Sequence, residues 1–485
     1  MGWLTFITRH CRLGRLVVVV GAAAVLVWGA GCDVPGVVLA LDAEPSLRAQ
    51  LGGYCVSLGA DGQRRFGRRY DAATFPLPQT LGVRADGRAS ATVRLDGIDR
   101  GLRVAASVQA LDATAFAHGD ARIPVELVRC AARTTGAPRL LGELPSGGGA
   151  RVAIVRTGAE AAGGATLVVA QKGAGARQAF GPTGAVGASV ALAGAGGAMQ
   201  ALAALDVDGD CGDDLIVAAT GRTPEVWPAA ADGGLVADPA RIAAVPPASA
   251  LALGDLDGDG RADLATVGDE GGTVLLASAS GGGFGELGGA FDVQPTQGRA
   301  IALGDLDGDG ALDAVVGFPQ GPLRWFHGDG HGRLRIDPTP FPAPSPDSGA
   351  VTGVVLIDLD GDGDLDVLVA VRGGATGLRL FENQGGAFVD RTSLLPKGPP
   401  AIDANVAAIL VGDLDGDCAD EVIVLGDTQP PLRLRVAQGA LVAAGTIGAL
   451  PASAGAIADL DGDGVADLAV ATATGVAAWT LGGAP

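Results

Sequence analysis

Asp255-Leu256-Asp257-Gly258-Asp259-Gly260-Arg261-Ala262-Asp263-Leu264 is the stretch that decides the fold of this chain. Acids stand at positions one, three, five and nine of the frame, with glycine at position six. The same frame starts again at Asp206, Asp305, Asp358, Asp413 and Asp459. Alternation gathers the first three acids on the inside of a curled loop, where unneutralised carboxylates would repel one another. Glycine permits the left-handed backbone of a sharp turn. The backbone carbonyl at position seven is a further expected ligand, and the ninth acid closes the cage. An all-oxygen cage of this kind suits a hard cation with flexible geometry, and Ca²⁺ suits it best.

The expected ligands are therefore Asp206, Asp208, Asp210 and Asp214; Asp255, Asp257, Asp259 and Asp263; and Asp305, Asp307, Asp309 and Asp313. The later loops supply Asp358, Asp360, Asp362 and Asp366; Asp413, Asp415, Asp417 and Glu421; and Asp459, Asp461, Asp463 and Asp467. That makes up to six Ca²⁺ sites. Cys211 and Cys418 replace the position-six glycine in two loops, which also carry an acid at position eight, Asp213 and Asp420.

An EF-hand needs a bidentate Glu at position twelve and flanking helices. Here position twelve is Val or Thr, and short apolar runs flank the loop, such as Ala250-Leu251-Ala252-Leu253 and Leu264-Ala265-Thr266-Val267. Runs of that length between Gly and Asp read as buried strands, so the loop joins two strands. Loop starts recur about every 50 residues, the period of one small sheet per repeat. An acid-free unit upstream, with strands near Val152–Val155 and Thr166–Ala170, makes a seventh repeat. Leu141-Gly142-Glu143-Leu144-Pro145 is expected to complete the last sheet and close a ring, which removes open edges.

Loops and period together resemble the FG-GAP repeat of integrin-alpha-type propellers, also called VCBS-like, across residues 138–485. The resemblance implies an all-β fold, a seven-bladed β-propeller with calcium loops at one end. It says little about the partner.

Residues 33–135 lack the acidic loop and show strand-like runs near Val37–Leu41, Ala91–Leu95, Leu102–Ala105 and Ile123–Leu127. They are expected to form a small β-sandwich-like spacer domain. Residues 1–32 read as a secretory leader, with Arg9, Arg12 and Arg15 before an apolar run too short for a membrane span. Gly29-Ala30-Gly31-Cys32 resembles a bacterial lipobox, which implies lipidation of Cys32 and a lipid-anchored protein of the cell envelope. An exported chain permits disulfides, and Cys55–Cys130 is the expected pair.

The net charge is −20 and no basic patch stands out, which argues against nucleic acid as a partner. There is no GxSxG, no HExxH and no Cys/His constellation, so no catalytic residues are assigned. His327-Gly328-Asp329-Gly330-His331 reads as a turn. Trp227, Trp325 and Trp479 read as blade packing at equivalent positions. The expected function is a monomeric, non-enzymatic surface binding or adhesion module for a protein or polymer ligand. A propeller-based hydrolase or lyase and a structural envelope component are the alternatives.

Overall fold

The computed structural model describes Val18–Val20 and most of residues 36–481; the stretches 61–62, 85–90, 112–121, 128–137, 146–149, 157–164, 193–197, 292–296, 343–348, 416–418 and 463–464 are among those outside that description. Cys32, Cys130, Asp417, Cys418 and Asp463 fall in such stretches. Among the described residues, no helix is long and apolar enough to cross a membrane.

Among the described residues, seven antiparallel sheets follow one another from Arg151 onward, and we number them as blades one to seven. Their first strands are Arg151–Val155, Met199–Leu205, Ala250–Gly254, Ala300–Gly304, Ala350–Ile357, Val406–Gly412 and Ala452–Ala458. Each first strand touches the next, and the seventh touches the first, so the sheets form a closed ring. The closure is a pairing of Gly475–Thr480 with Arg139–Pro145, which comes from the other end of the ring sequence. The chain is thus a β-propeller.

Each second strand is apolar on both faces, because each blade is sandwiched between two others. Asp263–Gly268 and Glu421–Gly426 are buried along their whole length. Ala265 and Val267 pack toward blade four with Ala314 and Val316, whereas Leu264 packs toward blade two with Ile216. The same alternation runs round the ring and ends with Ala469 and Ala471 against Val152 and Ile154 of blade one. Small residues set the blade spacing. A Cβ on Gly254 or Gly304 would lie 2.6 Å from a leucine of the next blade.

Blade two departs from the four-stranded expectation, with three strands among the described residues. Its third strand, Glu225–Trp227, lies between Pro224 and Pro228, which cannot donate to a ladder. Isolated bridges, Val226 to Asp238 and Ala229 to Leu235, stand where a fourth strand would be.

The tryptophans pack in inter-blade cores, yet they are not equivalent. Trp227 and Trp479 lie opposite position ten of their loop frames, Leu215 and Leu468, and Trp325 lies opposite position eleven, Val315. One residue along a strand reverses the face, so Trp325 serves the opposite side of its blade.

The N-terminal domain holds two sheets. One orders Val18–Val20, Gln79–Arg84, Gly36–Ala43 and Arg122–Leu127; the other orders Gln63–Asp71, Gly53–Ala60, Ala91–Asp99 and Leu102–Leu111. A short helix, Pro45–Gln50, buries Leu47 in a core with Leu39, Leu58, Leu81 and Leu95.

Candidate metal centres

Six loops join first to second strands in blades two to seven, and so lie at one end of the ring. Backbone N–H groups shape them. In the Asp255 loop, Gly258 and Gly260 N–H each donate to an Asp255 oxygen at 2.8 Å. Asp259 N–H donates to Asp257 at 3.1 Å, and Arg261 N–H to Asp259 at 2.8 Å. The Asp305 and Asp358 loops repeat all of these bonds. Position four is left-handed as well as position six, with φ of 78° at Gly258 and 81° at Gly260. Sequence reading gave this role to position six alone. Cys211 adopts the same conformation, φ 69°, without glycine's freedom.

One oxygen from each of Asp206, Asp208 and Asp210 lies within 4.8 Å of the other two. The same holds for Asp255, Asp257 and Asp259, and for Asp305, Asp307 and Asp309.

Position nine is buried in every loop, and in the last two loops Asp415, Asp459 and Asp461 are buried as well. Asp214, Asp263, Asp313, Asp366, Glu421 and Asp467 are almost fully shielded from solvent. Asp263 accepts from Leu256 N–H at 2.9 Å and from Ala277 N–H at 2.7 Å, which ties the loop to the third strand. Asp214, Asp313 and Asp366 make the same two kinds of bond. Burial is the largest cause pushing Asp214 up to about 8, Asp263 to about 7 and Asp366 to about 6, and nearby loop carboxylates push the same way. Asp467 is raised for the same first reason, with Asp461 next. Four such acids in one loop, at least one of them buried, fit a divalent cation, since each oxygen that accepts one N–H keeps a lone pair to offer. The apolar residue at position two, Leu256, Leu306, Leu359, Leu414 or Leu460, is buried beneath its loop.

Two loops are elaborated. Asp213, at position eight, accepts from Arg156 N–H at 2.9 Å and donates its own N–H to Arg156 at 2.7 Å, clasping blade two to blade one. His327 lies in the strand Arg324–Gly328, and the expected glycine-rich turn follows it before Leu334–Ile336; His327 Nδ1 is 3.0 Å from Asp307 Oδ2 and Nε2 is on Asp337.

The disulfide corrects the sequence reading. Cys55 pairs with Cys211, not with Cys130. Cys55 also lies against Asp206, with Sγ 3.6 Å from Oδ2. Arg69 N–H donates to Gly209 O at 3.3 Å, and its guanidinium donates to Gly260 O. Arg94 binds buried Asp96 at 2.7 Å and approaches Asp459 at 4.0 Å. The N-terminal domain therefore sits on the loop end of the ring over blades two, three and seven. The pairing joins residues 156 positions apart in two domains, so no local spacing announces it. A cavity of ≈ 500 Å³ remains beneath, lined by Arg69, Ile98, Ile154, Leu202, Asp206 and Ile457 among others.

The FG-GAP-like repeat family matches residues 206–266, 255–316, 305–369 and 358–424. The chain carries four FG-GAP-like repeats in tandem. Each match starts at position one of one loop and ends in the second strand that follows the next, so the matched unit spans parts of two blades. No curated protein matches the chain. Among solved structures, BBS1N in complex with ARL6DN, from a mercury soak, is 12% identical over 72% of this chain and 97% of that chain, with a TM-score of 0.49. An N-acetylglucosamine-recognising lectin of Agrocybe aegerita is 16% identical over 73% of this chain and 89% of that chain, with a TM-score of 0.45. The fold assignment rests on the strands and the repeats of this chain.

Proposed function

We propose that the protein is a lipid-anchored, extracytoplasmic binding or adhesion module, a monomeric propeller stabilised by calcium. The observation that carries the reading is the repeated loop with a buried ninth acid whose charge needs a cation. Asp255, Asp257, Asp259 and Asp263 are the residues that would hold one ion, and the same frame serves the sister loops. Bound calcium would neutralise the loop acids and tie first strand to second. The Cys55–Cys211 disulfide supports an oxidising compartment. The N-terminal domain covers part of the loop end, which supports a partner face at the opposite end, where the link from Leu394 to Asn405 runs. The role is binding rather than catalysis.

Calcium that binds only the folded state stabilises it by about 2.7 kcal/mol per site at a hundredfold excess over Kd. Millimolar Ca²⁺ is expected to raise Tm strongly, and Mg²⁺ little, because Mg²⁺ demands strict octahedral geometry. Asp257→Ala is expected to remove one bound equivalent. A Tm indifferent to thorough chelation argues against the reading. Replacing the 394–405 link by a Gly-Ser turn should abolish capture of cell-surface partners while leaving the calcium response intact.

A further inference from the structure

We infer that the loop starting at Asp413 carries its own cation, the guanidinium of Arg433, and takes no calcium. The inference rests on the calcium reading of the sister loops.

Glu421 is the one position-nine residue that is Glu rather than Asp. Its Oε2 accepts from Leu414 N–H at 2.8 Å, the bond its Asp counterparts make. The extra methylene carries Oε1 to Arg433, whose Nε lies 3.1 Å away and whose Nη2 also binds it. Nη2 binds Asp415 Oδ2 at position three as well. One guanidinium thus bridges the third and ninth acids, two of the four a metal would join. All three groups are shielded: Asp415 is 0% exposed, the Glu421 side chain 2% and that of Arg433 13%. Asp415 Oδ1 is buried without a hydrogen-bond partner among the described residues, so neutralisation of this carboxylate rests on Arg433.

Register puts the arginine there. Arg433 lies opposite Ile423, position eleven of its loop frame. Val226, Val274, Trp325, Leu380 and Ala478 hold that slot in the other blades. Arg324 and Arg379, which look like its counterparts in the Leu-Arg pattern, lie opposite position twelve and point to the other face. They go to the Phe318 and Phe381 rings instead. A slot that is apolar elsewhere is cationic only where the ninth acid is lengthened to meet it. The guanidinium occupies the space between these two buried carboxylates and ties up the oxygens that a divalent ion would have to take from positions three and nine. Arg241 at the Asp206 loop differs: it reaches one loop carboxylate, Asp208, at 3.2 Å, and its Nε turns to Asp238 outside the loop at 3.4 Å.

The test counts calcium bound per chain by equilibrium dialysis of the full-length protein. Asp257→Asn should lose one equivalent, whereas Asp415→Asn should lose none. The triple variant C418G/E421D/R433V restores the sister-loop residues and should gain one. Loss of an equivalent in Asp415→Asn overturns the inference. A second arm works in chelator and stands apart from the calcium reading. Glu421→Gln, Arg433→Met and their double variant form a thermodynamic cycle, and the expected coupling is on the order of tenfold in the unfolding constant. Additive effects overturn the inference even if every calcium count is zero.

Discussion

The ninth acid is where residue chemistry and stability meet. Asp263 satisfies the N–H groups of Leu256 and Ala277. Asp263→Ala would orphan both, at about 1–3 kcal/mol each, and denaturant titration in chelator should show that loss before any calcium is added. Titration adds a pH dependence. The ordinary aspartate value is 3.8, and the folded chain keeps these protons until about 8 at Asp214, 7 at Asp263 and 6 at Asp366. Between those limits the folded state binds more protons than the unfolded state, so metal-free stability falls as pH rises. The chelated protein should therefore melt higher at pH 5 than at pH 8.5. Calcium, which binds the ionised acids, should narrow or reverse that order. A chelated Tm that climbs with pH would contradict the burial seen at these carboxylates. Convergence of the first three acids in the loops starting at Asp206, Asp255 and Asp305 was legible in sequence. Burial of the ninth acid, and its bonds to backbone, were not, because they depend on a third strand some 14 residues onward.

At the scale of elements, strands and closure were readable from apolar runs and from the period. The expected closing segment at Leu141–Pro145 lies within the observed strand Arg139–Pro145. Its partner, Gly475–Thr480, would become an open edge if that strand were removed. A chain beginning at Gly147 should aggregate, as judged by light scattering, because it bares the last blade's hydrogen-bonding edge. Equal solubility of a chain that keeps Arg139–Pro145 would show that closure contributes nothing. Register was the unreadable part. Leu432-Arg433-Leu434 matches Leu378-Arg379-Leu380 by eye, yet the two arginines face opposite sides of their blades. A one-residue offset leaves no trace in composition or period.

The whole molecule differs most from its sequence reading in how its two domains meet. Docking brings Cys55 to Cys211 across 156 residues and lays Arg69 between the Asp206 and Asp255 loops. Reduction of the disulfide, or Cys55→Ser, should raise susceptibility of the N-terminal domain to limited proteolysis while the ring stays intact. Unchanged cleavage would mean that the arginine contacts hold the domain alone. The same bond sets a path for mechanical load. Tension applied at the N-terminus reaches Cys55 before it reaches Arg139. It then crosses the bridge into blade two, where the strand Met199–Leu205 is held from both sides by neighbouring blades. The closing strand Arg139–Pro145, which direct tension would unzip from one end, carries no force. If the chain is tethered at its N-terminus as proposed, drag on the ring is borne through a continuous part of it and not through its seam.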